Sequence, residues 1–491
     1  MYRSAPITFT ILASTATAAL AADYTIPSAE TPTLQFALEA PTSPVVNGDT
    51  LILTDAGFYL STYDIQNTNL TIKAAAGQTI VIDGLGLGSV ITVSGAGTGL
   101  TLEGLTIQGG NAPDGGGIHA TETTITIRDC TIRDNSADDD GAGVYLNDAT
   151  AIIENCTIDS NELNLPNVSD NGAGVHASGS SNVTITNSAF TNNISNNYAG
   201  AIYSNNSIYS VNGCIFEGNS ALIGGAIGFV SGGSGTISDS IIRFNHAAEN
   251  GGGVSSVSAW PDFIRCEITD NTADQRGAGI YVTGETSEEV DVTSTLIARN
   301  SAVIEGGGFI ANAGPDGRLR NCTIVDNSAG NNGGGLINIG GAAGVRVDNC
   351  IIRDNTPNQY PTTSSNLAFD CNISDGELAN NTRVIDADPM FVDAPNGDYR
   401  LLPGSPSIDA GDTSRFGTEM TPLDLDLNMR AVTDPSSSQS GIASLGLYVD
   451  HGAYELQINA APACPADFTN DGVLDVFDVF SFLDAFNIGC P

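Results

Sequence analysis

The feature that most constrains this chain is a repeat in which one asparagine recurs in nine rows, 26 to 32 residues apart. A row of this length holds two or three short strands and cannot bury an apolar face alone, so the rows have to stack on one another. Stacking pairs equivalent strands about 4.8 Å apart and places equivalent residues in columns. The repeat therefore predicts a solenoid. The nine asparagines are Asn135, Asn161, Asn193, Asn219, Asn245, Asn271, Asn300, Asn327 and Asn355.

Two short patterns accompany each asparagine. An alternating strand such as residues 130–132 (CTI) precedes it, and a glycine-rich strand start such as residues 141–144 (GAGV) follows it. The apolar period of two indicates strands, and the spacing lacks the signatures of leucine-rich repeats and propellers. We therefore predict an all-β chain, a parallel β-helix. We expect the asparagine to adopt a left-handed backbone at a corner and to bond along a ladder of like amides.

The same patterns carry a family resemblance. Residues 216–219 (FEGN) followed by 224–227 (GGAI) resemble the FxxN and GGA[IL] repeats of the polymorphic outer membrane protein family. The rows as a whole, over about residues 100 to 357, resemble the pectin-lyase-like right-handed parallel β-helices. Residues 404–411 (GSPSIDAG) and 450–455 (DHGAYE) resemble the C-terminal capping module of many secreted bacterial β-helix proteins. The resemblance implies a right-handed parallel β-helix with a cap at each end.

The chain divides into five predicted segments. Arg3, an apolar run at 7–20 and a small-x-small pattern at 19–21 are typical of an export signal, and no later run is long enough to span a membrane. We therefore expect a secreted or cell-surface protein that is not transmembrane. A short helix at 34–38 and a strand at 48–53 are expected to begin the N-terminal cap, because an open end would expose unpaired strand groups. The segments are the signal peptide (1–21), N-terminal cap and first coils (22–100), β-helix repeats (101–357), C-terminal capping module (358–457) and a calcium-binding tail (458–491).

The tail contains a calcium-loop pattern at residues 467–478 (DFTNDGVLDVFD), with oxygen ligands at the expected spacing and a glycine at the bend. The segment resembles a single dockerin loop, followed by a short apolar-faced helix. The alternative is an acidic turn without metal. Cys464 and Cys490 bracket the loop and are expected to form a disulfide in an exported protein. The predicted Ca²⁺ ligands are Asp467, Thr469, Asp471, Val473 through its carbonyl, Asp475 and Asp478.

Six other cysteines share one place in their rows, five residues before the asparagine. Ser188, Ser240 and Thr295 fill that place in the remaining rows. Exchange with serine and threonine favours small, inward-facing, stacked thiols over disulfides. The sequence assigns no role to Cys371. The six are Cys130, Cys156, Cys214, Cys266, Cys322 and Cys350.

The formal net charge of −40 excludes two classes of partner. Such a surface repels nucleic acid and anionic lipid, so we expect neither. It suits divalent cations, although simple solubility explains most of the carboxylates equally well.

Two columns are candidates for a binding or catalytic site. The residue just after the glycine-rich start should point away from the core, and in four rows it is aromatic: His119, Tyr145, His176 and Tyr203. Stacked rings could bind the flat faces of sugars, and the alternative is plain packing between strands. Beside them, Asp114 and Asp140, with Asp139 next to the latter, could bind calcium or act as an acid–base pair. The alternative for these carboxylates is a solvated acidic loop.

The motifs of the familiar β-helix enzymes do not occur in the sequence. A pectate-lyase-type site needs a basic residue beside a calcium cluster, and Lys73, the only lysine, lies far upstream. A polygalacturonase-like site needs Gly-His-Gly and Arg-x-Lys segments, which are absent. We therefore favour a structural or adhesive module that binds polysaccharide or a cell-surface component without catalysis. The alternative is a polysaccharide lyase or O-glycosyl hydrolase.

Overall fold

A computed structural model describes most of the repeat region and parts of both ends. The export signal, the helix expected at 34–38, the calcium loop, Cys464 and Cys490 all lie outside the described residues. Those described are 21–26, 45–54, 57–164, 171–284, 289–312, 317–339, 345–360, 367–369, 371–374, 383–416, 423–430, 432–443 and 447–457.

Three long parallel sheets of 14, 13 and 11 strands form the faces of a solenoid, and each row in its middle contributes one strand to each sheet. Sheet A contains the strands Asp23–Ile26, Asp49–Leu53, Asn69–Ala74, Gly99–Glu103, Thr124–Arg128, Thr150–Glu154, Asn182–Thr186, Ile208–Asn212, Ser234–Ser238, Trp260–Ile264, Val290–Thr293, Gly317–Arg320, Arg346–Asp348 and Leu367–Phe369. Sheet B contains Gly57–Leu60, Ile80–Asp83, Leu105–Gln108, Thr131–Arg133, Thr157–Asp159, Ala189–Thr191, Ile215–Glu217, Ile241–Arg243, Glu267–Thr269, Leu296–Ala298, Thr323–Val325, Ile351–Arg353 and Asn372–Ile373. Sheet C contains Tyr63–Gln66, Ile91–Ser94, Ile118–Thr121, Val144–Asn147, Val175–Ser178, Ile202–Asn205, Ile227–Val230, Val254–Val257, Ile280–Thr283, Phe309–Asn312 and Leu336–Ile339.

Two smaller parallel sheets run along the corner between sheets B and C. The first corner sheet contains Asn111–Asp114, Ser136–Asp140 and Glu162–Leu163, and the second contains Ser220–Ile223, His246–Asn250, Thr272–Ala273, Ser301–Ala302 and Ser328–Ala329.

The strand predicted at 48–53 is confirmed as Asp49–Leu53 of sheet A. The fold class predicted from the repeat, an all-β parallel solenoid, is also confirmed.

The core of the solenoid consists of alternate residues from all three sheets. In one row, Ile127 of sheet A, Ile132 of sheet B and Val144 of sheet C are all fully buried in one apolar cluster. Each strand pairs in register with the equivalent strand of the next row, as Ile132 does with Ile158. The period of two thus produces a continuous apolar interior from rows that could not fold alone.

The asparagine ladder is confirmed. The side-chain amide of each asparagine donates to the Oδ1 atom of the next, at 2.9–3.1 Å, over all nine rows. The last, Asn355, donates to Oε1 of Gln359 at 2.7 Å. The expectation of a left-handed asparagine was wrong, because the residue just before it holds that conformation, as Asp134 does with φ of 52°. The asparagine is left free to point its amide inward.

The cysteine column is confirmed as a set of buried free thiols. The backbone N–H of one row donates to the sulfur or hydroxyl of the next, as Cys214 does to Ser240 Oγ at 3.0 Å and Cys322 to Cys350 Sγ at 3.2 Å. Cys371, unassigned from sequence, continues the column, because Cys350 N–H donates to its sulfur at 3.3 Å.

The C-terminal segment from residue 383 packs against the outer face of sheet B. Its buried Tyr399 lies beside Leu296 and Val325, and its hydroxyl donates to Asp326 at 2.8 Å and accepts from Arg299 at 3.2 Å. The regular elements of this segment are the antiparallel strands Phe391–Asp393 and Asp398–Leu401 and the 3₁₀ helices Ala394–Asn396 and Thr413–Phe416.

Buried carboxylates replace a sheet as the backbone partners of this C-terminal segment. Asp450 accepts the N–H of Asp409 at 2.8 Å and of Leu456 at 2.7 Å. Glu455 accepts the N–H of Val432 at 3.0 Å and of Asp450 at 3.1 Å. Because buried N–H groups need partners, the acidic residues of the DHGAYE motif hold the irregular loops together.

Candidate functional site at the corner of sheets B and C

A column of four rings lies on the outer face of sheet C. His119 pairs in register with Tyr145, Tyr145 with His176, and His176 with Tyr203. The ring centroids lie 4.9, 5.2 and 4.9 Å apart in that order, with interplanar angles of 40°, 30° and 41°. The prediction of a stack is confirmed; we call these four residues the ring column.

The ring column is open to solvent only at its first two members. His119 and Tyr145 are half-buried, whereas His176 and Tyr203 are 3% and 6% exposed. All four side chains leave the core, as predicted. The sequence did not show that the last two would be buried.

A second column, which we call the edge column, lies beside the rings and covers them in part. It contains Asp114, Asp140, Asn171 and Tyr198, which are aligned on successive rows. The Nδ1 atom of His119 lies 3.3 Å from the carbonyl oxygen of Asp114. The sequence prediction that the two columns are adjacent is therefore confirmed.

His176 connects the two columns at their closest point. Its Nδ1 atom lies 3.3 Å from Oδ1 of Asp140 and 3.2 Å from the carbonyl oxygen of Asn171. Both neighbours are acceptors, so the proton of the neutral ring belongs on Nδ1. Oδ1 of Asp140 also accepts the backbone N–H of Asn171 at 2.9 Å. The side-chain amide of Asn171 donates to the same oxygen at 3.3 Å, so both donors that fix the Asp140 carboxylate belong to Asn171.

The electrostatic environment of the edge column acts on Asp114. The pKa of Asp114 is raised, first by partial burial and then by the charge of Asp140, while His119 opposes the shift. The exposed Asp139 raises it further. A carboxyl group that keeps its proton to higher pH therefore lies one row from a carboxylate held by hydrogen bonds.

Burial also acts on the tyrosines of the ring column. It raises the pKa of Tyr145, and a hydrogen bond with Ser178 lowers that pKa by a smaller amount. Burial and then the charge of Asp140 raise the pKa of Tyr203. Both phenols stay protonated at neutral pH and can donate a hydrogen bond.

Tyr198 is the site residue that the sequence analysis missed. Its ring centroid lies 6.0 Å from that of Tyr203, so it extends the aromatic surface around the corner. The signal was available, because Tyr198 stands four positions before its sheet C strand, as Asp114 and Asp140 do before theirs. The pattern is less clear in this row because an alanine, Ala199, replaces the first glycine of the strand start.

The arginines in the described part of the molecule are all close to carboxylates. Every described arginine lies 2.5–3.8 Å from a carboxylate. In the rows that contain the ring column, Arg128 of sheet A pairs with Glu154 and Arg133 of sheet B lies near Asp134. The edge column therefore faces solvent with a net negative charge.

The described residues contain no group of three or more histidine, cysteine or acidic side chains arranged to surround a metal ion. Asp114, Asp139 and Asp140 accordingly form no ready calcium cage. Among the described residues, no helix has the length and hydrophobicity that a membrane crossing requires.

A comparison with family models agrees with the observed architecture. A family model described as the right-handed β-helix region matches residues 116–297. The crystal structure of pectate lyase Pel9A aligns with 89% of this chain and 96% of its own at 12% identity and a TM-score of 0.36. A mannuronic acid specific polysaccharide family 6 lyase from human gut microbiota aligns with 75% of this chain and 92% of its own at 12% identity and a TM-score of 0.31. No curated protein matches the sequence.

Proposed function

We propose that the protein is a secreted or cell-surface β-helix that binds polysaccharide at the ring and edge columns. One observation carries the proposal: the half-exposed, stacked rings of His119 and Tyr145 lie beside Asp114 and Asp140 on consecutive rows. Binding without cleavage is the activity that this arrangement supports best.

The chemistry of the two columns suits a sugar. The half-exposed rings of His119 and Tyr145 offer apolar surface to the C–H groups of a pyranose. The carboxylate of Asp140 is fixed by the backbone N–H and the side-chain amide of Asn171, so it can accept hydrogen bonds from sugar hydroxyls with little loss of side-chain entropy on binding. Rows about 4.8 Å apart repeat these contacts along the axis, as a linear polymer requires.

The charge of the edge column limits the kind of polysaccharide. Asp114 lies near the carboxylates of Asp139 and Asp140, which raise its pKa, and the groups that lower its pKa are the histidines His119 and His176. A uronate polymer would be repelled unless calcium screened it. We therefore propose neutral or amino-sugar polymers as partners, because a protonated amine would pair with Asp140.

The test is a binding assay on three polymers: a neutral glucan, chitosan, and pectate with and without calcium. We expect retention on the first two and weak retention on pectate. Tyr145→Ala should weaken binding about 2- to 12-fold, the range that an aromatic contact of this kind supports. Trp260→Ala is the matched control, since Trp260 is a partly exposed aromatic on sheet A and should bind normally.

Two results would overturn the proposal. One is unchanged binding by Tyr145→Ala on every polymer. The other is an equal loss in Trp260→Ala, which would mean that any surface aromatic contributes.

A glycoside hydrolase is the second candidate function, and the raised pKa of Asp114, one row from a second carboxyl group, favours it. Such enzymes use one protonated and one ionised carboxyl group, and retaining enzymes place them about 5 Å apart. Strand spacing puts these two residues at about that separation. Release of reducing ends that disappears in Asp114→Asn would establish the enzyme; retention without release would establish the binder.

We further propose export through residues 1–21 and calcium binding at residues 467–478. The residue pattern alone supports both, since these segments lie outside the described residues. Calorimetric titration of calcium into the full chain and into Asp471→Ala tests the loop. Equal affinity in the two proteins would remove the site.

A further inference from the structure

The buried cysteine column contains consecutive thiols at two places. Cys130 and Cys156 occupy adjacent rows, and so do Cys322, Cys350 and Cys371. Elsewhere in the column a hydroxyl residue separates the cysteines, as Ser240 and Thr295 do on either side of Cys266. All these thiols are 0–2% exposed. We call the second group the thiol triad.

The sulfur atoms of the triad share one side-chain orientation. Cys322 Sγ donates to the carbonyl oxygen of Arg320 at 3.2 Å, and Cys350 Sγ donates to that of Asp348 at 3.2 Å. Each sulfur also contacts a carbonyl oxygen of the preceding row, at 3.4–3.7 Å, in Cys322, Cys350 and Cys371 alike. Equivalent contacts mean that the sulfurs repeat with the row spacing, about 4.8 Å.

That spacing distinguishes two kinds of chemistry. A disulfide needs sulfurs about 2.05 Å apart, so it would require both side chains to leave their present contacts. A metal ion between two thiolates, with bonds of about 2.3 Å each, spans about 4.6 Å when the bonds are in line. The row spacing of a parallel β-helix therefore suits a linear sulfur–metal–sulfur bridge and opposes a disulfide.

We propose that Cys322 and Cys350, or Cys350 and Cys371, bind a soft two-coordinate monovalent cation of the Cu(I) class, and that Cys130 and Cys156 form a second such site. Thiolates select ions of this kind over hard cations. On binding, the ion forms two bonds to sulfur and displaces one proton from each thiol, with no change of oxidation state. Two ligands suffice, so the site needs no larger cluster.

The surroundings of the triad suit the single negative charge that such a bridge carries. The buried guanidinium of Arg430 donates to Ser294 Oγ at 3.2 Å, one row before Cys322. The apolar interior excludes water and competing hard ligands.

The experiment titrates Cu(I), supplied as its acetonitrile complex under argon, into the full chain, with bound copper measured by mass spectrometry against a Cu(I) chelator. Because the column is closed to solvent, a second sample is loaded during refolding from urea. The unmodified chain should retain at least two ions in one of the two preparations. Ag(I), a redox-stable analogue, should bind in the same ratio.

Two serine variants decide the location. Cys350→Ser should lose at least one ion, because Cys322 and Cys371 are then two rows apart. Cys266→Ser should lose none, since its neighbours in the column already carry hydroxyls. Serine occupies this column naturally at Ser188 and Ser240, so both variants should fold, which circular dichroism checks. Equal loss in the two variants, or no copper in either preparation of the unmodified chain, would overturn the proposal.

Discussion

At the scale of single residues, each ladder asparagine satisfies several backbone groups at once. Oδ1 of Asn245 accepts from both the side-chain amide and the backbone N–H of Asn219, at 3.0 and 2.9 Å. Its own amide donates to Asn271 at 3.0 Å and to the carbonyl oxygen of Phe216 at 3.0 Å. No smaller side chain reaches all four partners, which explains why the sequence repeats asparagine at this place.

Removing one member of the ladder should therefore be costly. Asn245→Ala leaves at least one buried N–H of Asn219 without an acceptor, so we expect a loss of about 1–3 kcal/mol or more in the free energy of unfolding. Urea denaturation followed by circular dichroism measures it. The matched control is Asn182→Ala, since Asn182 is exposed on sheet A and should cost no more than about 0.5 kcal/mol. Similar losses in both variants would show that the ladder adds nothing particular.

The residue scale also shows where sequence reasoning succeeded and failed. The ladder and the thiol column were predictable, because in-register stacking follows from the repeat and brings equivalent residues together. The left-handed conformation was assigned to the asparagine, although the preceding residue, Asp134 or Phe244, adopts it. The residue before the asparagine varies from row to row, so no single residue type in the sequence indicated which position has the left-handed backbone. Cys371 was missed because its row is only 21 residues long and lacks the asparagine.

At the scale of elements, each row contacts chiefly the rows before and after it. Phe190 and Phe216, both fully buried in sheet B, stack with ring centroids 4.9 Å apart and an interplanar angle of 15°. Their place is filled by isoleucine in the neighbouring rows, as Ile158 and Ile242 show. In a solenoid of this kind, stability is approximately the sum of rows and of interfaces between neighbouring rows.

Phe216→Ala should accordingly create a local defect. We expect a cost of about 3–5 kcal/mol from lost burial and the cavity that remains. Hydrogen exchange should quicken in peptides covering 189–191 and 241–243, and much less in distant rows. Phe244→Ala is the matched control, because Phe244 is 54% exposed and should change the stability by about 0.5 kcal/mol or less. Faster exchange along the whole solenoid would contradict the nearest-neighbour picture.

The candidate site was also predictable only in part at this scale. The two columns and their adjacency followed from the repeat. The burial of His176 and Tyr203 did not, because it depends on residues just before the sheet C strands: Asn171 lies against His176, and Tyr198 and Ala199 pack with Tyr203. Row alignment placed Asp114 next to Asp140, but the hydrogen bonds that fix Asp140 come from Asn171, whose orientation no pattern reveals.

At the scale of the whole molecule, a regular solenoid is joined to a C-terminal segment with little secondary structure of its own. The two meet through Tyr399, which lies 73 and 100 residues from its partners Asp326 and Arg299. The sequence motifs identified the segment, but such distant contacts could not be derived from them. Because carboxylates hold its backbone, the segment should respond to pH differently from the solenoid.

Three buried groups set the direction of that response. Burial raises the pKa of Asp450 from 3.8 to about 7 and that of Glu455 well above its usual 4.5, whereas burial lowers the pKa of His451 from 6.5 to about 3. From about pH 4 to 7 the folded segment keeps carboxyl protons that the unfolded chain releases, so stability falls as the pH rises. His451 acts oppositely below pH 6.5, since only the unfolded imidazole is then protonated. The effect of the two carboxyl groups, Asp450 and Glu455, is larger than that of the single His451. Above pH 6.5, His451 no longer contributes to the pH dependence of stability.

The C-terminal segment should therefore be more stable at pH 5 than at pH 8. Hydrogen exchange of peptides covering 405–416 and 447–457, corrected for the intrinsic rate at each pH, should show stronger protection at pH 5. Glu455→Gln removes one of the two carboxyl groups whose pKa is raised, so it should reduce the difference in protection between pH 5 and pH 8. Peptides from sheet C, such as 118–121, contain none of these groups and serve as the internal control. Stronger protection at pH 8 would mean that Asp450 and Glu455 are ionised in the folded segment, and the carboxylates would then hold its loops as charged acceptors.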